Sequence, residues 1–163
     1  MSTFDCFLEI DGITGESRDS RHRDEIGVLR FGWGESQHAP VQSGLGAGVG
    51  QVRVEDLEVT AGTSKASPKL MVACASGRHI ATARLTCRLP GLVDAQFLVI
   101  TLSNVLVSRY HVAGAASVGG MLPTDEIALN FRDIKIEYRA RRPDGTLESA
   151  VTGEWSVQEN RGT

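Results

Sequence analysis

The chain has 163 residues, of which 41% are apolar and 6% aromatic, with a formal charge of −3 and a pI near 5.8. That length suits a single domain hiding roughly 70% of the surface its unfolded chain would expose, and the acidic balance leaves no net basic surface to neutralise phosphates, which counts against nucleic acid as a main partner. Cys6, Cys74 and Cys87 are odd in number and lack metal or redox spacing, so free, buried thiols in a reducing compartment are expected.

The opening residues Met1, Ser2, Thr3, Phe4 and Asp5 form no basic-then-apolar run, so synthesis in the cytoplasm without a cleaved signal is expected. Residues 4–11 alternate, with Cys6, Leu8 and Ile10 on one face and Asp5, Glu9 and Asp11 on the other, as in a half-buried strand; Phe7 joins the polar face. Residues 12–24 are too many for a tight hairpin and too polar to pack, and a loop of that length inside a compact domain is functional or disordered. A second strand is predicted over 25–36, carrying Leu29, Phe31 and Trp33 on one face and Ile26 and Val28 on the other, with Gly27, Gly32 and Gly34 permitting a bend. Residues 40–50 contain four glycines and read as a mobile loop; 51–60 read as a strand whose phase slips between Val54 and Leu57, as a bulge would cause.

One helix is predicted, over residues 64–76. Ser67 before Pro68 makes a natural cap and first-turn pair, Ser64 offers a start one turn earlier, and Gly77 supplies a left-handed stop. Leu70, Ala73 and Cys74 form one apolar stripe, widened by Met71. Strands resume over 79–89, 96–108 and 126–138. Phe97, Leu98, Val99, Ile100 and Leu102 fill both faces of the second, yet its apolar run is too short to cross a bilayer and contains Thr101, Ser103 and Asn104, which excludes membrane insertion. The third slips phase from Ile127, Leu129 and Phe131 to Ile134, Ile136 and Tyr138, and Pro143-Asp144-Gly145 turns a final hairpin onto 147–157. The pattern predicts a mainly β fold: a small antiparallel β-barrel of two packed sheets with one lateral α-helix at about residues 64–76, in a single domain over 1–163.

Chemical motifs are weak. Gly44, Gly46, Gly48 and Gly50 suggest a phosphate cradle, but no Gly-Lys-Ser/Thr follows and the loop opens a strand rather than a helix. Ser64 in Gly62-Thr63-Ser64-Lys65-Ala66 imitates a nucleophile elbow without its last glycine or its βαβ setting, so capping is its expected job. His22, His38, His79 and His111 are scattered, with only His22 beside acidic neighbours, and Glu55-Asp56 and Asp125-Glu126 point to opposite strand faces. No catalytic, cofactor-binding or metal site is expected.

Longer segments are more specific: Phe7-Leu8-Glu9-Ile10-Asp11-Gly12-Ile13-Thr14-Gly15-Glu16-Ser17, His22-Arg23-Asp24-Glu25-Ile26, Trp33-Gly34, Lys65-Ala66-Ser67-Pro68-Lys69-Leu70-Met71, Ala73-Cys74-Ala75-Ser76-Gly77 and Leu129-Asn130-Phe131. Together they resemble the haemolysin-coregulated protein (Hcp) family, the tube subunit of type VI secretion, over nearly the whole chain. The resemblance implies a homohexameric ring with an open centre, rings stacked into an inner tube, a contractile sheath that expels the tube from a Gram-negative cell, a spike protein at its tip, and a lumen able to carry and stabilise effector proteins. It implies a secreted structural protein rather than an enzyme, exported by the type VI system without a signal peptide. The polar loop at 12–24 corresponds to the family's extended loop, which makes Glu16, Arg18, Asp19, Arg21, His22, Arg23 and Asp24 candidates for ring-stacking and subunit contacts through head-to-tail charge complementarity. Arg30-Phe31-Gly32, Gln51, Asn104 and the basic run Arg139-Ala140-Arg141-Arg142 depart from the family pattern, so stacking affinity and cargo preference do not carry over. The alternatives are a monomeric β-sandwich module binding a sugar or peptide, and a hydrolase using Ser64 or His22.

Overall fold

The computed structural model describes residues 3–38, 51–91, 95–117, 119–120 and 122–163, so the glycine loop predicted at 40–50 lies outside the described residues. Among those described, the elements run β1 (Asp5–Ile10), β2 (Ile26–Gly32), β3 (Glu35–Gln37), β4 (Val52–Val54), β5 (Leu57–Gly62), α1 (Ser67–Ser76), β6 (His79–Arg88), β7 (Gln96–Ala113), β8 (Thr124–Tyr138), β9 (Val151–Ser156) and β10 (Arg161–Gly162). One antiparallel sheet takes the order β10-β9-β8-β5-β2-β1-β6-β7, and β7 returns to pair with β8. That last pairing closes six strands into a barrel and leaves β9 and β10 as a lateral extension; β3 and β4 form a separate ribbon. The fold is mainly β with one helix, as the alternation predicts.

The barrel interior is filled by the inward residues of each strand: Cys6, Leu8 and Ile10 from β1, Leu57 and Val59 from β5, Leu85 and Cys87 from β6, Ile100 and Leu102 from β7. Buried positions change parity at one level in three neighbouring strands: between Ile80 and Ala83 in β6, Leu102 and Val105 in β7, and Phe131 and Ile134 in β8. These residues lie side by side, Ile80 opposite Val105 opposite Phe131, and Ala83 opposite Leu102 opposite Ile134. At this level Asn104 takes φ 53°, a left-handed conformation that bends the strand while pairing continues in register on both sides. The slip predicted in β8 is therefore one edge of a corner that crosses three strands.

Several predicted boundaries move: the strand expected to end at 108 runs on to Ala113, and the strand expected over 147–157 is confined to Val151–Ser156. The strand expected over 25–36 is two, and the strand expected over 51–60 is two, because Gly34 and Glu55 exchange contacts where both break: Glu55 N–H donates to the Gly34 carbonyl at 3.0 Å and Trp33 Nε1 to the Glu55 carbonyl at 2.9 Å. The helix begins at Ser67, with Ala66 rather than a serine at the cap position. It ends as predicted at Gly77, φ 62°, where Gly77 and Arg78 N–H groups close on the Cys74 and Ala73 carbonyls. Leu70 and Ala73 are buried and Cys74 half-buried, but Met71 is 50% exposed, one position round the helix from the apolar stripe.

Candidate assembly interface

Residues 12–24 are a folded flap. Ile13 pairs with Ile10 in a β-bridge, Gly15 N–H donates to Asp24 O at 2.7 Å, Ser17 N–H to Glu25 O at 3.0 Å and Asp24 N–H to Ser17 O at 2.9 Å. A β-carbon on Gly15 would lie 2.4 Å from the Glu25 carbonyl oxygen, so only glycine fits this close approach. The segment packs despite its polarity because its own hydrogen bonds satisfy the backbone while Ile13 and His22 are buried.

An ion pair latches the flap to the barrel. Arg88 at the end of β6 grips Asp19 with both nitrogens, Nη1 to Oδ1 at 3.0 Å and Nη2 to Oδ2 at 2.6 Å, and also reaches Asp5 at 3.3 Å. Asp19 Oδ1 further accepts Arg21 N–H at 3.0 Å and His22 N–H at 3.3 Å. With the Arg88 hydrogen bond foremost, the Asp19 carboxyl is held down to about 2. The Phe7 ring carries His22 stacked at 4.4 Å with 5° between planes, and Arg88 lies 5.3 Å from the same ring. His22 Nδ1 meets Glu25 Oε2 at 2.9 Å; burial pushes the Glu25 carboxyl up, and His22 opposes that shift.

The seven residues singled out by sequence thus divide. Glu16, Arg18, Arg21, Arg23 and Asp24 face solvent, whereas Asp19 is half-buried and His22 buried, both engaged within the subunit. Glu16 accepts Lys65 N–H at 3.2 Å, Lys65 Nζ lies 3.9 Å from Asp24, and these three with Ser17, Arg18 and Arg23 line a polar cleft of about 490 Å³. Arg88, Asp5, Phe7 and Lys65 belong to the same region and were not singled out. The visible signal was the outward phase of Asp5 and Phe7 on β1; that Arg88 stands opposite Asp5 depends on strand register.

Behind the flap, Asp125 is 1% exposed and gathers three hydroxyls: Thr63 at 2.9 Å, Tyr110 at 3.2 Å and Ser67 in a short hydrogen bond. Its inward phase with Ile127 and Leu129 was the available sign. Ser64 N–H donates to Ser67 Oγ at 2.9 Å and Ser64 Oγ accepts Ala66 N–H at 3.2 Å, so both serines order the entry to α1. Among the described residues, no group of three or more His, Cys, Asp or Glu side chains is placed to hold a metal ion.

Residues 7–138 match the family described as type VI secretion system effector, Hcp. The chain is 37% identical over 158 residues to protein hcp1 of Pseudomonas aeruginosa, covering 96% of each chain. Its fold is similar to the crystal structure of Hcp1 from Salmonella typhimurium, with TM-score 0.77, 28% identity, and coverage of 99% and 100% of the two chains. It is similar also to a solved type six secretion system protein, with TM-score 0.88, 26% identity, and coverage of 98% and 99%.

Proposed function

The chain belongs to the Hcp family of secreted structural proteins of type VI secretion, and from that premise we propose that it forms homohexameric rings that stack into the inner tube of the system. A contractile sheath drives this tube outward behind a spike protein, and the lumen carries effector proteins. The observation that carries the reading is the extent of the family correspondence, residues 7–138, which takes in the flap, the helix and the barrel strands from Phe7 to Tyr138.

The closed barrel supports it physically. Its core is complete within one subunit, so ring contacts must use outer walls, and those walls expose Leu29 on β2, Val112 on β7 and Val151 on β9, at 67%, 50% and 74%. A stable ring contact needs at least about 1,000 Å² of buried surface. The flap, whose contacts run along β1 from Ile10 past Phe7 to Asp5, carries alternating charges and is the surface proposed for ring-on-ring contact. Light scattering after size-exclusion chromatography is expected to give a six-chain mass, and electron micrographs an annulus with an open centre. A strict single-chain mass at micromolar concentration would overturn the proposal and favour a monomeric binding module.

A further inference from the structure

Cys6 and Cys87 stand directly opposite each other on β1 and β6, with their sulfurs 3.5 Å apart inside the barrel. They are 7% and 0% exposed, while Cys74, on α1, is half-buried and apart from them. Directly opposed residues of an antiparallel pair have Cα separations within the range a disulfide spans, so side-chain rotation and a closing of the strands and sulfurs, from 3.5 Å to bonding distance, separate the two thiols from a bond.

We propose that Cys6 and Cys87 are a disulfide-forming pair, oxidised by a small peroxide-class oxidant, which covalently closes the β1–β6 seam of the barrel. The inference does not depend on ring or tube formation. Cys6 and Cys87 share a hydrogen bond; that bond and burial push the Cys6 thiol up, whereas at Cys87 the bond pulls the thiol down against the effect of burial, so Cys87 ionises more readily and is the attacking thiolate. The Cys87 sulfur attacks one oxygen of hydrogen peroxide, the O–O bond breaks, and the departing hydroxide takes a proton to leave as water. Cys87 is then a sulfenic acid. The Cys6 sulfur, losing its proton, attacks the Cys87 sulfur and expels the sulfenic oxygen as a second water. Two thiols are oxidised to one disulfide and one peroxide is reduced to two waters.

The pair suits a chain made in a reducing compartment and secreted into an oxidising one. The link joins residues 81 positions apart, so it removes much freedom from the unfolded chain and raises Tm by roughly 10 °C.

The test uses the full chain carrying Cys74→Ser, which removes intermolecular coupling without touching the pair. Folded, reduced protein is treated with hydrogen peroxide, alkylated in urea and digested. The expected result is loss of two hydrogens, no alkylatable thiol, a Cys6–Cys87 linked peptide and a Tm rise reversed by dithiothreitol. Two alkylatable thiols after treatment, oxidation stopping at sulfinic acid, or a link formed only when peroxide is added in urea would each overturn the proposal. The unmutated chain supplies a second reading: one alkylatable thiol, mapped to Cys74, supports the pair, and three contradict it.

Discussion

Arg88 holds the flap to the barrel through one carboxylate, and the electrostatics of that contact have a definite sign. Asp19 titrates at about 2 in the folded chain against an ordinary 3.8, so its contribution is fully present above about pH 4 and is lost as pH falls through 2. The side chain is partly exposed, which screens the pair and leaves it worth about 1–2 kcal/mol. Arg88→Met is expected to lower the unfolding free energy measured in urea by that amount at neutral pH and to flatten its dependence on pH between about 4 and 2; an unchanged slope would refute the latch. Asp125 is a sterner case because it is buried. Asp125→Ala strands the hydroxyls of Thr63, Ser67 and Tyr110 and is expected to cost about 3 kcal/mol, with Asp125→Asn losing less because it retains a carbonyl acceptor. Urea unfolding measures the cost, and hydrogen exchange in α1 is expected to rise before that of the barrel strands.

At the scale of elements, the corner through β6, β7 and β8 depends on the left-handed residue Asn104. Asn104→Val is expected to destabilise by about 1–2 kcal/mol and Asn104→Gly to be nearly neutral in thermal unfolding, since only the former adds a branched Cβ to a left-handed backbone. Equal losses from both would point to the amide side chain instead. The same corner shows how far the sequence could be read. Periodicity along β8 revealed the slip between Phe131 and Ile134, because period two is a local property of one strand. That Ile80 and Val105 slip beside it follows from register, which no single strand encodes. The division of 25–36 and 51–60 was hidden for the same reason: Gly34 and Glu55 end their strands by bonding each other. In the flap, the exposed charges Arg18 and Arg23 were legible from composition. Asp19 and His22 looked equivalent to them, because the Arg88 and Phe7 contacts that draw those two inward come from β6 and β1.

For the whole molecule, the flap presents two sets of charges, one engaged within the subunit and one facing solvent. Asp19 faces Arg88 and fastens the flap; Arg18 and Arg23 face outward with Glu16 and Asp24 around the polar cleft. Reversing the outward pair, Arg18→Glu with Arg23→Glu, leaves the Asp19–Arg88 pair and the barrel seam intact, so Tm and the six-chain mass are expected to stay near those of the unchanged protein. Each chain, however, exchanges two positive charges for two negative ones, a change of about −4, or about −24 over a six-chain ring, on the face proposed for stacking, and heterologous contacts tolerate like charge poorly. Stacked tubes in micrographs and secretion into the medium are therefore expected to fall at least tenfold, a change corresponding to about 1.4 kcal/mol per ring contact. Higher salt should narrow the difference in stacking, because exposed charges are screened beyond about 10 Å at 0.1 M. If the double variant instead fell apart into single chains, the flap would belong to the ring's lateral contacts, and stacking would have to be assigned to another surface of the barrel.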